Sequence, residues 1–394
     1  MAHVDLSDAR MFDIHAHPFL DRGPVTAEQF AVMTGFGGGA EGYFAEGGIE
    51  VTPAVSAEIQ RWKRNTTWHR LLIRELAAFH GVEATVEAVV DARNAAVKLD
   101  YRDYTGAMFA DAGLDGIVFD DGYPLPQVDM AAVRAELPVE CVPIYRIEPL
   151  IAELLGEELG WGEFRQRYDD AIAGALTAGG YRGVKSIIAY RTGLDVSPLS
   201  RSADHGMQAL DAIQRGLGGG ATKRLRDHLL CRAIELCVEH DVPMQIHTGM
   251  GDYEVNLVLC RPAYLMELLR FPAYRACRVI LVHTGYPYQR EAGYLAHVLP
   301  RVYCDVSEGV PFAGSGAPAI LRELVEMAPL HKISYGSDAY TLPEPIYASA
   351  KIGRRAVEVV MGELVEAGVL SETEAVSTGE AILGGTTREL YGVR

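Results

Sequence analysis

Cysteine is scarce in this sequence, and its positions do not pair. The chain of 394 residues contains six cysteines, none of them in a Cys-X-X-Cys spacing. A disulfide framework is therefore not expected, and the thiols are interpreted as buried free cysteines of a reducing cytoplasm. The six positions are Cys141, Cys231, Cys237, Cys260, Cys277 and Cys304.

Positive charge and long apolar runs are also lacking. Lysine and arginine number 36 against 53 acidic residues, which gives a net charge of −17. This balance argues against nucleic acid or an anionic membrane as a partner, although a local arginine cluster could still bind a small anion. The polar stretch 1–10 does not resemble a signal peptide, and no apolar run approaches the roughly 20 residues that span a bilayer. We expect a soluble cytoplasmic protein.

Short apolar runs alternate with helical patterns along the whole chain. Hydrophobic residues make up 49% of it, enough for a large core. Eight such runs separated by helices predict an α/β fold, the (β/α)8 TIM barrel, closed by right-handed parallel crossovers. The predicted strands are 11–17, 116–120, 139–146, 183–188, 242–247, 278–283, 301–305 and 332–338.

The segment after the first predicted strand is too long for a simple connection between a strand and a helix. Residues 22–112 carry helical patterns at about 54–80 and 82–98, and we interpret them as a helical cap inserted after strand 1. The tail, about 345–394, predicts helices that close the bottom of the barrel. The sequence 1–394 is thus expected to form a single barrel with the cap insertion inside it.

Two histidines end the first strand. His15 and His17 are two residues apart, so both side chains project from the same face of a strand. In a barrel, polar side chains at the C-terminal strand ends form the active site, and two imidazoles there suit a cation such as zinc. Chance His-X-His sequences are common and often face solvent. The pair alone does not establish a metal site.

Further polar residues end other strands. His247 and His283 each close an apolar run and are followed by Thr-Gly, and Asp338 lies at the end of strand 8. A lone strand-end histidine is more often a hydrogen-bonded structural residue, and a lone aspartate can cap the next helix. Four histidines and an aspartate at the strand ends of one barrel instead predict a shared metal centre.

Lys185 in strand 4 has two interpretations. Its amine could carry a carboxylate and bridge two metal ions, or it could remain an ammonium that pairs with an acid or holds the substrate. Burial lowers the pKa of a lysine, which favours either role. Both interpretations stay open at the level of sequence.

Together these residues resemble the amidohydrolase superfamily. The motifs Asp13-Ile14-His15-Ala16-His17-Pro18 and Gly336-Ser337-Asp338 are closest to its amidohydrolase-2 branch. Within that branch, the chain is similar to the amidohydrolase domain of nodulin and fungal proteins fused to glutamine-synthetase-like domains. The segments that carry this likeness are Val184–Leu194, Phe119–Gly122, Tyr145–Glu148 and Val282–Pro287.

The resemblance implies a role for each strand-end residue. His15, His17 and His247 would bind a divalent metal, with zinc expected and manganese or iron as alternatives. Asp338 would ligate the metal or act as general base, and His283 would bind a second metal or polarise the scissile carbonyl. Lys185, if carboxylated, would bridge two ions. The reaction would be attack of metal-bound hydroxide on a carbonyl.

Four residues near strand ends are the predicted substrate-binding residues. Arg146 and Arg191 could grip a substrate carboxylate, although Arg146 could equally pair with Glu148 or Asp120 as scaffolding. Tyr190 and Tyr286 complete the set. Weaker candidates in similar positions are Tyr123, Asp252 and Glu308, whereas Trp62 and Trp68 in the cap are interpreted as packing residues.

The sequence therefore predicts a metal-dependent amidohydrolase. Its reaction would be cleavage of a C–N amide bond in a small, carboxylate-bearing molecule, and the branch's association with γ-glutamyl amides fits this class. A zinc-dependent non-oxidative decarboxylase of a small acid is the alternative enzyme, and a metal-free ligand-binding barrel is the alternative from another class. The expected partner is a small molecule, and a homo-oligomer stays open.

Overall fold

Eight parallel strands form the centre of the molecule. The computed structural model describes residues 3–36 and 40–393. Each strand pairs in parallel with the next along the chain, in the order β1 to β8. The strands are β1 Met11–Ala16, β2 Leu114–Asp120, β3 Glu140–Arg146, β4 Val184–Ser186, β5 Met244–His247, β6 Val279–Val282, β7 Val302–Asp305 and β8 Ile333–Ser334.

The barrel closes between its first strand and the segment that follows its last. The Ile14 amide donates to the Tyr335 carbonyl at 3.0 Å, and the Asp338 amide donates to the His15 carbonyl at 2.8 Å. The (β/α)8 prediction is confirmed. The strands β4 and β8 are shorter than predicted, because a helix begins at Ile188 and because the Tyr335 amide donates to the Ile382 carbonyl of the tail instead of to β7.

Apolar side chains fill the interior of the barrel, as expected for strands that are buried on both faces. Phe12, Ile14, Val118, Ile144 and Ile280 belong to this interior cluster. A larger cluster lies between the strands and the surrounding helices. Polar side chains at the C-terminal strand ends therefore stand on a packed, rigid base.

Helices occupy most of the segment between β1 and β2. They are α1 Ala27–Met33, α2 Ala40–Glu46, α3 Pro53–Lys63, α4 Thr67–His80, α5 Val86–Leu99 and α6 Tyr101–Ala112. The last of them, α6, packs against β2 and so belongs to the ring of the barrel. We call residues 22–100 the insertion; its residues 37–39 lie outside the described parts of the chain.

The helix predicted at 54–80 is two helices in the structure. Thr66 has an extended conformation, and its hydroxyl accepts a hydrogen bond from the His69 amide, which caps the start of α4. Threonine is a favoured N-cap residue, so a helix restarts here. Thr85 starts α5 in the same way, four residues later than predicted.

The remaining α-helices surround the barrel and form the tail. They are α7 Met130–Glu136, α8 Ile147–Leu155, α9 Trp161–Thr177, α10 Ile188–Arg191, α11 Ala203–Gln214, α12 Gly220–Glu239, α13 Met266–Arg270, α14 Gln289–Val298, α15 Gly309–Ala313, α16 Ala317–Val325, α17 Pro343–Glu366, α18 Glu372–Glu380 and α19 Thr386–Tyr391. Short 3-10 helices occur at Pro198–Arg201, Leu257–Cys260, Pro262–Leu265, Pro272–Tyr274, His283–Gly285, Gly314–Gly316 and Leu330–Lys332, and a π-helical turn at Ala381–Gly385.

The tail helices seal the end of the barrel opposite the histidines. Tyr391 packs with the interior cluster, and the Gln245 amide donates to its hydroxyl at 2.8 Å. Gly384 lies against the backbone of Arg10 and Phe12 at the start of β1. Across the parts of the chain that the structure describes, none of the helices combines the length and apolar character needed to cross a bilayer.

Candidate metal centre

The six strand-end residues predicted from sequence line one cavity at the C-terminal mouth of the barrel. Its volume is ≈ 220 Å³, and we call it the polar cavity. All but one of the six are buried; Asp338 keeps 15% of its side chain exposed. They come from five strand ends, and the set is His15, His17, Lys185, His247, His283 and Asp338.

One group of ligand atoms comes from β1 and the end of β8. His15 Nε2 lies 3.0 Å and His17 Nε2 3.4 Å from the Oδ1 atom of Asp338. The potential ligand atoms of the three residues all lie within 4.8 Å of one another. Two imidazole nitrogens and a carboxylate oxygen are a donor set that suits zinc and neighbouring transition metals.

A second group shares Asp338 and includes a residue that was only a weak candidate. His283, Glu308 and Asp338 also bring ligand atoms within 4.8 Å of one another. His247 belongs to neither group among the described residues; its Nδ1 lies 3.0 Å from His283 Nε2 instead. The His247 ring packs against His283, and the prediction that His247 binds a metal together with His15 and His17 stays a prediction.

Three of these residues have an unusual backbone conformation. His283, Glu308 and Asp338 have φ angles of +69°, +55° and +55°. Such left-handed conformations cost about 1–3 kcal/mol each for residues other than glycine and cluster at functional sites. Hydrogen bonds hold two of them in place: the His283 amide donates to Asp305 Oδ1 and the Asp338 amide to the His15 carbonyl, each at 2.8 Å.

Hydrogen bonds also fix the histidine tautomers. His17 Nδ1 lies 3.1 Å from the Asp120 carbonyl, so this nitrogen carries the proton and Nε2 keeps its lone pair. His283 Nδ1 lies 2.9 Å from Ser307 Oγ, whose hydroxyl donates to Asp305 Oδ1 at 2.7 Å. Ser307 must therefore accept from His283 Nδ1. The Nε2 of a neutral His283 is then an acceptor, which suits a metal ligand better than a donor to a carbonyl.

The charge states suit a bound cation. Burial lowers the pKa of His15 to about 4, and the Lys185 ammonium acts in the same direction. Burial also holds the pKa values of His247 and His283 well below the ordinary histidine value. Burial alone would raise the pKa of Asp338, but His283 and the β1 histidines beside it hold the pKa well below its usual range. Neutral imidazoles and an ionised carboxylate are the forms that bind metals.

Orphaned polar atoms test whether a cation fits these residues. Asp338 Oδ1, Glu308 Oε2 and His247 Nε2 are buried without a hydrogen-bond partner. Burial and the nearby Asp338 carboxylate raise the pKa of Glu308 well above its ordinary value, which shows that negative charge is crowded here. A divalent cation would neutralise this crowding and occupy unused lone pairs. The residues fit a metal ion.

Lys185 contacts both the histidines and an acid. Its Nζ lies 3.0 Å from His15 Nε2 and 3.8 Å from Asp120 Oδ2. Burial lowers the pKa of Lys185, and the Asp120 carboxylate acts against this. The contact favours the ammonium form, because a carboxylated amine would place two negative groups against each other.

The two predicted arginines differ in their surroundings. Arg146 is paired with the buried Asp120, through Nε at 3.0 Å from each carboxylate oxygen, which is the scaffolding alternative. It still borders the polar cavity. Arg191 lies at the exposed rim of the same cavity and pairs with no acid in the described ranges. It is the freer of the two for a substrate anion.

The two predicted tyrosines lie in different places. Tyr190 lines the polar cavity, and its hydroxyl accepts from the Asp252 amide at 2.9 Å. Tyr286 does not border this cavity; it lines a neighbouring apolar one. The chain turns at Gly285 (φ +65°) and carries Tyr286 away from the histidines, and its predicted role in substrate binding stays a prediction.

Three acids that shape the centre were not among the residues predicted to bind the metal. Asp120 ends β2 and Asp305 ends β7, so they lie at strand ends like the histidines. Applying the strand-end criterion to carboxylates as well as imidazoles would have found both. Glu308 follows β7 by three residues, and only the loop conformation turns it into the cavity.

Comparison with known proteins assigns the chain to a family. A family model described as amidohydrolase matches residues 165–393, more than half of the chain. The chain belongs to the amidohydrolase family. The matched segment contains Lys185, His247, His283 and Asp338, whereas the two β1 histidines precede it. The resemblance found in the motifs is confirmed.

The chain is also similar to individual proteins. Protein fluG of Emericella nidulans is 31% identical over 244 residues, which are 59% of this chain and 28% of fluG. The chain thus spans less than a third of that relative's length. A Lactobacillus casei protein provisionally named a metal-dependent hydrolase is 24% identical, with a TM-score of 0.82 over 99% of this chain and 98% of its own.

A more distant structure shares the architecture. Glucuronate isomerase from Caulobacter crescentus is 15% identical, with a TM-score of 0.67 over 98% of this chain and 92% of its own. At these identities, the likeness of both structures shows the fold alone. Family membership supports a hydrolase-type enzyme that uses a divalent metal.

Proposed function

We propose that the chain is a metal-dependent hydrolase that cleaves a C–N amide bond in a small, carboxylate-bearing molecule. The observation that carries the proposal is the convergence of His15, His17 and Asp338 at the barrel mouth, with Nε2–Oδ1 distances of 3.0 and 3.4 Å. Zinc is the first ion to test. A bound divalent cation would polarise the scissile carbonyl and make water more acidic.

Asp338 supplies the proton acceptor. Its carboxylate is ionised at neutral pH and lies at the centre of both ligand groups. It accepts a proton from the attacking water and returns it to the leaving nitrogen when the C–N bond breaks. The backbone bond from the Asp338 amide to the His15 carbonyl holds this residue at the mouth of the polar cavity.

Asp305 and Ser307 position the histidine of β6. Their hydrogen bonds fix the His283 ring so that Nε2 faces His247 and the cavity. In this tautomer His283 is a ligand or proton acceptor rather than a donor to the carbonyl oxygen. Its predicted role in polarising the carbonyl is therefore the less favoured of its two roles.

Arg191 binds the substrate carboxylate in this proposal. Its guanidinium is exposed at the cavity rim, and an arginine–carboxylate pair can form two parallel hydrogen bonds. Asp252 and Glu254 border the same cavity and could face a substrate ammonium group. A γ-glutamyl amide carries both charges and is the class to test first.

The experiment follows release of amine from γ-glutamyl amides by protein loaded with zinc or manganese. We expect turnover that is lost on chelation and restored by metal. His15→Ala should abolish it, while the matched control His297→Ala, an exposed histidine on α14, should keep it. Failure of a broad panel of small amides to release amine with any of these metals would contradict the proposal.

The contact of Lys185 with Asp120 favours a second candidate function. An unmodified Lys185 cannot bridge two ions as a carbamate, and a single-metal site suits non-oxidative decarboxylation of a small acid as well as hydrolysis. Release of carbon dioxide from small aromatic acids, without amine release from any amide, would select this reaction. If the protein binds no metal and turns over neither class of substrate, the remaining alternative is a barrel that only binds a ligand.

A further inference from the structure

A second cavity lies beside the polar cavity and has a different chemistry. Its volume is ≈ 490 Å³, and we call it the apolar cavity. Its walls come from the insertion, from the loops after β5 and β6, and from α15. Aromatic rings dominate them: Tyr43, Trp62, Trp68, Tyr253, Tyr286 and Phe312.

Ring contacts join the insertion to the barrel around this cavity. Tyr43 of α2 meets Tyr253 of the loop after β5 with ring centroids 5.4 Å apart. Trp68 of α4 meets Phe312 of α15 at 4.7 Å. These contacts hold walls from separate parts of the chain at a fixed spacing, since aromatic pairs favour such distances.

The two cavities adjoin. Phe36 and Phe312 border both of them. Gly251 lies where they meet: it lines the apolar cavity, and a Cβ added there would collide with the Tyr190 hydroxyl and lie 3.2 Å from His247 Nε2. Glycine at this position lets the Tyr190 ring pack closely against the loop where the cavities adjoin.

The two cavities differ in how their cations are held. Lys63 borders the apolar cavity, but its ammonium donates to the Phe36 carbonyl. Arg191, after β4, gives the polar cavity its free cation at one side. The apolar walls follow β5, β6 and β7 on the other side. A molecule held across the centre would therefore meet a cation at one end and aromatic rings at the other.

The size of the apolar cavity suits a substantial group. A cavity of about 150 Å³ already admits benzene, and this one is about three times larger. Trp62 lies at the cavity wall with 53% of its surface exposed, and exposure of so large an apolar ring to water is unfavourable. An apolar substituent would cover part of that ring.

We propose that the apolar cavity is the subsite for a hydrophobic substituent of the amide substrate, a phenyl ring or an alkyl chain of about six carbons, whose polar end lies at the metal centre. This inference rests on the proposed function for the reaction. The hydrophobic group can belong to the leaving amine or to the acyl part, and the substrate panel below separates these two arrangements.

Binding can be measured without catalysis. Two of the three tryptophans line the apolar cavity, so Trp161→Phe leaves emission from Trp62 and Trp68 alone. Titration of this variant with benzyl alcohol or hexanol should give a saturable change in tryptophan fluorescence. Each buried methylene contributes about fourfold in affinity, so hexanol should bind on the order of 100-fold more tightly than ethanol.

Two variants test the location. Ala313→Leu places a larger side chain into the cavity and should weaken hexanol binding about tenfold, because it removes space for roughly two methylenes. Trp62→Ala removes an exposed wall residue without disturbing the core and should weaken it similarly. Tyr294→Ala, an exposed aromatic on α14 far from both cavities, is the matched control and should not change it.

Catalysis supplies the second readout. The kcat/KM of metal-loaded enzyme should rise along γ-glutamyl methyl-, butyl-, hexyl- and benzylamide if the group sits on the amine, or along N-acetyl- to N-hexanoylglutamate if it sits on the acyl part. Ala313→Leu and Trp62→Ala should flatten that rise, and Tyr294→Ala should preserve it.

The outcomes separate the two proposals. Turnover with no dependence on chain length, together with no saturable fluorescence change, would overturn the subsite and leave the amidohydrolase proposal intact. Saturable hexanol binding that Ala313→Leu weakens, without turnover of any amide, would support the subsite and refute the amide reaction. If neither Ala313→Leu nor Trp62→Ala changes hexanol binding, then hexanol binds outside the apolar cavity and the inference is overturned.

Discussion

The polar and apolar cavities are built in opposite ways. Strand ends of a rigid barrel form the polar one, with buried charges and three non-glycine residues at positive φ. Helices of the insertion and loops form much of the apolar one, through ring contacts, and Trp62 remains half exposed. We interpret the barrel as the source of the chemistry and the insertion as the part that selects the proposed substrate. The predictions below test this division.

The largest effect is expected at Asp338. Asp338→Asn keeps the shape of the side chain but removes its charge and its capacity to accept a proton. Amide turnover should fall about 10²–10⁴-fold, measured as kcat on the best amide of the panel. His297→Ala should retain normal turnover, and a normal rate in Asp338→Asn would remove the carboxylate from the mechanism.

The next effect concerns the attachment of the insertion to the barrel. Arg93 of α5 and Glu344 of α17 are fully buried, with Nε and Oε1 2.8 Å apart, and Tyr104 also donates to this carboxylate. Glu344→Ala leaves a buried cation without its partner and should lower the free energy of unfolding by about 3–5 kcal/mol in denaturant titration.

A surface pair provides the control for that change. Glu363 pairs with the half-exposed Arg322, so Glu363→Ala should cost no more than about 1 kcal/mol. Equal losses for the two variants would mean that the buried pair does not anchor the insertion.

A smaller effect is expected from Asp305, which touches no substrate. Asp305→Asn weakens the hydrogen bonds that orient Ser307 and the His283 ring. Groups that orient metal-binding histidines typically contribute about 10–100-fold in metal affinity or activity. We expect weaker metal binding in equilibrium dialysis, with a loss of kcat. Unchanged metal affinity would show that this network does not position His283.

The smallest effect distinguishes the two arginines. Arg191→Met should raise KM for a carboxylate-bearing amide about tenfold with little change in kcat, because a charged hydrogen bond is lost at the rim. An amide that lacks the carboxylate should be unaffected. Equal effects on both amides would remove Arg191 from carboxylate recognition.

Much of the fold follows from sequence because its signals are local. Eight apolar runs separated by helical patterns are enough to predict the barrel, and convergence of parallel strand ends then places His15, His247 and Asp338 in one cavity. The break between α3 and α4 was missed, because helical periodicity continues through Thr66 while its capping hydrogen bond stops the helix.

Which side chains reach the polar cavity depends on loop conformation, and the spacing of residues in the sequence does not predict that conformation. Glu308 and Asp338 reach the cavity through positive φ angles, and Tyr286 leaves it at a glycine turn. His247 has the predicted strand position, yet its ring packs on His283. Trp62 was interpreted as a packing residue, but it is 53% exposed. Helical spacing does not show which face of α3 meets solvent, and only the fold does.

The metal content of the purified protein tests the central claim most directly. Protein prepared without chelator should contain about one or two equivalents of zinc, manganese or iron by elemental analysis, and His15→Ala prepared in parallel should contain much less. Less than about 0.1 equivalent in the unaltered protein, with no activation by added zinc or manganese, would contradict a metal-dependent hydrolase.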